Sequence, residues 1–228
     1  MPRERHIVIS RTARYYTLGP EDGSAPELWF VLHGYGQLAA RFIRVFEPLD
    51  DGKRLIVAPE ALSRFYLVGV DSIPAADRPV GATWMTREDR DCEINDYVGY
   101  LDALAREVLT PFHGRGAAPS IVVFAFSQGA ATASRWITRG SMRPSQVVLW
   151  GGFLPPEIDL TSRNPLRDSP LHLVVGTRDQ FVTAERVSEE ERRLRAASLP
   201  YRLIRYDGGH GIAKETLREV AAGLTGVA

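Results

Sequence analysis

Several things are scarce in this sequence. Cys92 is the one cysteine in 228 residues, so an intrachain disulfide framework and a thiolate metal cluster are both excluded. There is no surplus of either charge sign: 28 Lys and Arg stand against 28 Asp and Glu, a formal net charge of zero. A nucleic-acid partner, which calls for a basic patch or stripe, is therefore not expected. No run of about 18 apolar residues occurs, so no integral membrane segment is expected. The opening MPRERH leads into only a short apolar stretch, which is not a signal-peptide pattern. The expectation is a cytoplasmic protein. Internal repeats, low-complexity tracts and linkers are also missing.

What is there is ordinary globular material, 44% hydrophobic and 25% charged. The length suits a single domain spanning residues 1–228 with ample material for a core. Five short apolar runs punctuate the chain: Leu28–Leu32, Leu55–Ala58, Ile121–Phe126, Val147–Trp150 and Leu171–Val175. They are mostly continuous rather than alternating, as strands covered on both faces must be. Tyr201–Tyr206 alternates more and suits a sheet edge. His6–Ser10 and Arg14–Leu18 read as an N-terminal antiparallel pair.

Helical patterns lie between the runs. From Ile94 to Leu109, Tyr97, Leu101, Leu104 and Val108 recur at steps of three and four and form one stripe. A small-residue helix follows Ser127, another spans Ala184–Ser198, and the last covers about Ile212–Leu224. In the third, Glu189 and Glu191 precede Arg193 and Arg195 by four positions, the favourable order for ion pairs on a solvated face. Strands alternating with helices imply an α/β fold with a mainly parallel central sheet and helices on both faces. The stretch from Ala61 to Arg90 lacks clear periodicity and is the candidate substrate-facing wall.

The most informative segment is IVVFAFSQGAATASRW, a buried strand, a turn and a helix of small residues. This is the context of a nucleophile elbow, usually G-x-S-x-G, in which a serine is displayed on a strained turn. Small residues two positions either side let strand and helix approach; here they are Ala125 and Gly129. The plain alternative is that Ser127 merely caps a helix.

A nucleophilic serine needs a base, and the base an orienting carboxylate, in the chain order Ser, Asp or Glu, His. Downstream of Ser127 the histidines are His172, inside an apolar run and read as structural, and His210, in the loop Asp207-Gly208-Gly209-His210-Gly211. His210 is the candidate base. Asp179 follows the strand Leu171–Val175 and is the candidate carboxylate. Asp168 precedes that strand, and Asp207 reads as a turn residue. Two backbone donors must meet the oxyanion. The N–H of Gln128 is one, and that of Tyr35, in His33-Gly34-Tyr35-Gly36-Gln37, is the candidate second. His33 reads as a structural residue positioning that loop.

LHGYG, AFSQGA, GTRDQFV and GGHG resemble the motifs LHGLG, GFSQGG, GxxDxxV and GGH of the phospholipase/carboxylesterase group of α/β-hydrolases. That group includes bacterial carboxylesterases and acyl-protein thioesterases. The resemblance runs from about Leu28 to the last helix with the motifs in the same order. It implies an α/β-hydrolase fold with little or no lid, and Ser127 as nucleophile with Asp179 and His210 as partners. It also implies the Tyr35 and Gln128 amides as oxyanion donors, and hydrolysis of acyl esters or thioesters without a cofactor. The departures are Ala125 and Ala130 for glycines, Tyr35 for leucine, Gln37 for aspartate and Thr183 where proline often stands.

The expected activity is a serine carboxylesterase acting on a small-molecule ester of small to medium acyl chain. An acyl-protein thioesterase or lysophospholipase would use the same site, and a non-catalytic binding protein on a hydrolase scaffold is the reading from another class. Trp84 and Tyr66 either line an acyl pocket or pack as core. The cluster Glu88-Asp89-Arg90-Asp91-Cys92-Glu93 has no histidine near it in sequence, so no metal is expected and Cys92 reads as an incidental thiol.

Overall fold

The computed structural model describes residues 1–68, 77–114, 117–161 and 163–224. Its centre is a seven-stranded sheet of β1 (Tyr15–Leu18), β2 (Glu27–Leu32), β3 (Arg54–Pro59), β6 (Ser120–Phe126), β7 (Gln146–Trp150), β8 (Leu171–Gly176) and β9 (Tyr201–Tyr206). The spatial order is β1-β3-β2-β6-β7-β8-β9. β1 runs antiparallel to β3, and the other neighbours are parallel. Outside this sheet, β4 (Ser63–Tyr66) and β5 (Val80–Thr83) form an antiparallel pair.

Both faces of the sheet are covered, which is why its strands lack polar alternation. Leu28, Phe30 and Leu32 of β2 and Val123 and Ala125 of β6 point to one side. There they meet α2 (Arg90–Leu109), α3 (Gln128–Arg139) and α4 (Ala184–Ala196) through Ile94, Tyr97, Leu101, Trp136 and Leu194. Trp29 and Val31 of β2 and Val122, Phe124 and Phe126 of β6 point to the other. They pack on the short α1 (Ala39–Phe42), the 3₁₀ segment Ile43–Leu49 and α5 (Lys214–Leu224). The stripe Tyr97, Leu101, Leu104, Val108 is buried throughout. No helix among the described residues is long and apolar enough to cross a membrane.

Three expectations need correction. His6–Ser10 forms no strand, and Ile7, Val8 and Ile9 are exposed. The Arg11 guanidinium donates to the Leu62 carbonyl, and Arg14 chelates buried Glu60 through Nε and Nη2 at 2.7 and 3.0 Å. These ties turn the preceding residues toward the 60–62 segment and away from β1. Second, the stretch 61–90 holds the β4–β5 pair; of it, residues 69–76 lie outside the described residues. Third, α4 does not form the Glu189–Arg193 pair. Arg193 pairs instead with buried Glu190 at 3.4 Å and donates to the carbonyls of Leu154, Pro155 and Ile158. Arg195 does meet Glu191, at 2.8 Å.

Candidate active site

Ser127 links β6 to α3 with φ 54° and ψ −116°, a region that costs a non-glycine residue about 1–3 kcal/mol. The surroundings impose it. The Ser127 N–H extends the β6–β7 ladder by donating to Trp150 O at 2.9 Å, while the helix begins at the next residue. A Cβ at Gly129 would lie 2.5 Å from Leu32 O and 2.8 Å from His33 O, so only glycine lets α3 start this close to β2. Ala125, by contrast, sits fully buried in the small-residue seam with Ala130 and Ala133. The Ser127 side chain makes no cap on α3, which removes the helix-capping reading.

Its hydroxyl turns to His210 instead. His210 Nε2 lies 2.9 Å from Ser127 Oγ, and His210 Nδ1 lies 2.7 Å from Asp179 Oδ2. A carboxylate only accepts, so Nδ1 carries the proton and Nε2 is left to accept from the serine hydroxyl. Asp179 is itself held. Its Oδ1 accepts the N–H groups of Phe181 at 2.8 Å and Val182 at 3.0 Å. The three side chains come from the carboxyl ends of β6, β8 and β9, where an open α/β sheet displays its site.

The imidazole is walled by aromatic rings, with Phe126 at 5.0 Å on one side and the edge of Phe181 at 4.8 Å. Its loop is tied down by the Tyr206 hydroxyl, which donates to Gly209 O at 2.8 Å and also contacts Gly211 O. The Trp150 indole N–H reaches Gly211 O at 2.8 Å. Asp207 pairs with Arg178 on the surface, and Asp168 ends a 3₁₀ turn before β8. Neither reaches His210.

The turn after β2 packs against the serine: a Cβ on Gly34 would come within 3.2 Å of Ser127 Cβ. Gly34 N–H donates to Gln37 Oε1 at 2.7 Å, Gly36 N–H to Ala82 O at 2.8 Å and Gln37 N–H to Gly34 O at 3.3 Å. Among the described residues, the Tyr35 amide has no such acceptor. The Gln128 amide, first in α3, has no acceptor within its own helix. The Gln128 side chain locks the helix start to β5: Nε2 donates to Thr83 Oγ1 and Met85 O, both at 2.9 Å. His33 is fully buried beneath the turn. Its Nδ1–H donates to Gly34 O at 2.8 Å, and its Nε2 accepts Ala61 N–H at 3.1 Å. Burial pushes this imidazole below its ordinary value, so it stays neutral.

Trp84 is buried, with its indole N–H on His33 O at 2.8 Å and its ring against His33 and Tyr97. It packs as core behind the turn. Strand alternation in β4 sends Phe65, not Tyr66, toward Tyr35, with ring centroids 5.1 Å apart. Tyr66 is exposed with Arg78 over its ring. Phe65 and Phe181 were not singled out from sequence; two residues past Asp179, Phe181 could have been.

Comparisons with known proteins bear on the family and the fold. The family profile described as Phospholipase/Carboxylesterase matches residues 24–226. Comparison with curated proteins gives no significant match. Among solved structures, Zea mays acyl-protein thioesterase 2 is similar at TM-score 0.69 and 21% identity, covering 94% of this chain and 98% of that one. Esterase PE8 is similar at TM-score 0.66 and 21% identity, covering 96% and 100%. A phospholipase/carboxylesterase from Dyadobacter fermentans gives TM-score 0.66 and 18% identity, covering 96% and 99%.

Proposed function

The chain belongs to the phospholipase/carboxylesterase family, and from that premise we propose that it is a serine carboxylesterase acting on small-molecule acyl esters of small to medium chain length. The observation that carries the reading is the unbroken relay from Ser127 Oγ through His210 to Asp179, at 2.9 and 2.7 Å, on a strained elbow. Binding proteins on a hydrolase scaffold typically lose a member of such a relay, and here all three are present.

In the proposed reaction, Ser127 Oγ attacks the acyl carbonyl carbon while its proton passes to His210 Nε2. The carbonyl oxygen becomes an oxyanion between the Tyr35 and Gln128 amides, which have no acceptor among the described residues to give up. Asp179 stabilises the imidazolium through its bond to Nδ1. As the carbonyl re-forms, the ester C–O bond breaks and His210 returns the proton to the departing alcohol. Water then attacks the acyl-serine with His210 as base, releasing the acid and restoring the hydroxyl.

The same steps serve a thioester, with a thiol leaving. Exposed Tyr35 and Phe181 beside the site, and the likeness to a thioesterase, favour testing that second substrate. The test is kcat/KM over p-nitrophenyl esters from acetate to palmitate and over matched acyl thioesters. Higher values on the shorter oxygen esters support the carboxylesterase reading. A uniform preference for thioesters transfers the assignment to the second substrate, and no turnover of either class overturns both.

A further inference from the structure

The geometry points to a divalent transition-metal site formed by His6, Asp89 and Cys92, which fastens the N-terminal arm to the start of α2. In sequence the acidic cluster around Cys92 has no histidine beside it; the fold supplies one from 83 positions away. His6 Nε2 lies 3.1 Å from Asp89 Oδ2, and one ligand atom from each of the three residues falls within 4.8 Å of the others. Glu4 Oε1, 3.3 Å from His6 Nε2, offers a fourth oxygen.

Imidazole, thiolate and carboxylate together suit Zn²⁺ or Co²⁺ rather than the hard cations Mg²⁺ and Ca²⁺, which take all-oxygen shells. Metal–ligand bonds of about 2.0–2.3 Å place tetrahedral donors roughly 3.5 Å apart. The cluster therefore has to contract by about 1 Å, which exposed side chains on an arm without regular structure can do. Binding would replace the Cys92 thiol proton with the metal and release that proton to solvent. The arm is already anchored further along, by Arg11 on Leu62 O and by the Tyr100 hydroxyl on Arg14 O at 3.2 Å. A metal at His6 would fix its free half. None of these residues belongs to the Ser127 relay, so the site stands apart from the esterase reading.

Titration of the full chain with Co²⁺ should give one equivalent bound, with a thiolate-to-cobalt charge-transfer band that Zn²⁺ bleaches. Cys92→Ser should abolish the band, and His6→Ala and Asp89→Asn should each weaken binding at least tenfold. Zn²⁺ should also slow tryptic cleavage at Arg5 several-fold in the wild type and not in His6→Ala. His6 lies outside every helix and strand, so its loss does not threaten the fold. No band in the wild type, or unchanged affinity in His6→Ala, would overturn the site, as would tryptic protection that persists in His6→Ala.

Discussion

Asp179→Asn isolates what the carboxylate contributes. The two backbone amides of Phe181 and Val182 both donate to Oδ1, so the asparagine must place its carbonyl oxygen there. Its NH₂ group then occupies the Oδ2 position, 2.7 Å from His210 Nδ1. Two donors cannot face each other, so the imidazole proton shifts to Nε2, the atom that has to accept the Ser127 proton. The expected loss is about 10⁴-fold in kcat, equivalent to about 5 kcal/mol on the barrier. Stability should change little, because both backbone bonds survive. Asp179→Ala separates the two roles: it also strands those amides, adding about 1–3 kcal/mol of destabilisation for each one left buried and unpaired. Steady-state hydrolysis of a p-nitrophenyl ester and urea unfolding measure the two effects. An Asn variant within tenfold of the wild type would refute the tautomer argument.

Further variants test the supports around the relay. Gly151 has φ +60°, and an added Cβ would sit 3.2 Å from His210 Cε1. Gly151→Ala should therefore cost about 1–2 kcal/mol of backbone strain and lower kcat, and unchanged kinetics would contradict this. Gly81→Ala places a Cβ 2.4 Å from Gly36 O, a backbone atom, so it should cost about 1–3 kcal/mol of stability; pushing the Tyr35 turn by about 1 Å should also lower kcat of the folded variant about 10²-fold, and an unchanged kcat would contradict this. Burial pushes His172 below its ordinary value, as it does His33. The unfolded chain then gains a proton near pH 6.5 that the folded chain resists, so stability is full above about pH 6.5 and falls as the pH drops below it. Each histidine accounts for at most about 1.4 kcal/mol per pH unit. His172→Gln should flatten that fall between pH 7 and 5.5, whereas parallel wild-type and variant curves would refute the assignment.

The parallel sheet was legible because strands buried on both faces must be continuously apolar, as Ile121–Phe126 and Leu171–Val175 are. The meeting of Ser127, Asp179 and His210 was legible for a related reason. Each follows a strand of the sheet, Ser127 and Asp179 continuously apolar ones and His210 the alternating edge strand, and strand ends in a parallel sheet share one edge. What escaped depends on pairings that local pattern does not encode. Phe65 rather than Tyr66 faces Tyr35 because of the register of β4 on β5. Trp84 is drawn inward by a carbonyl, His33 O, that a reading of its own segment cannot see. Arg193 forgoes Glu189 for Glu190 and four carbonyls in the 154–158 loop. His6 reaches Asp89 only through the path of the arm.

The central claim is that Ser127 is an activated nucleophile, and intact mass after fluorophosphonate treatment tests it most directly. The account predicts a single phosphonyl adduct on the wild type and none on folded Ser127→Ala. An unmodified wild type, or an adduct that persists in the variant, would contradict it.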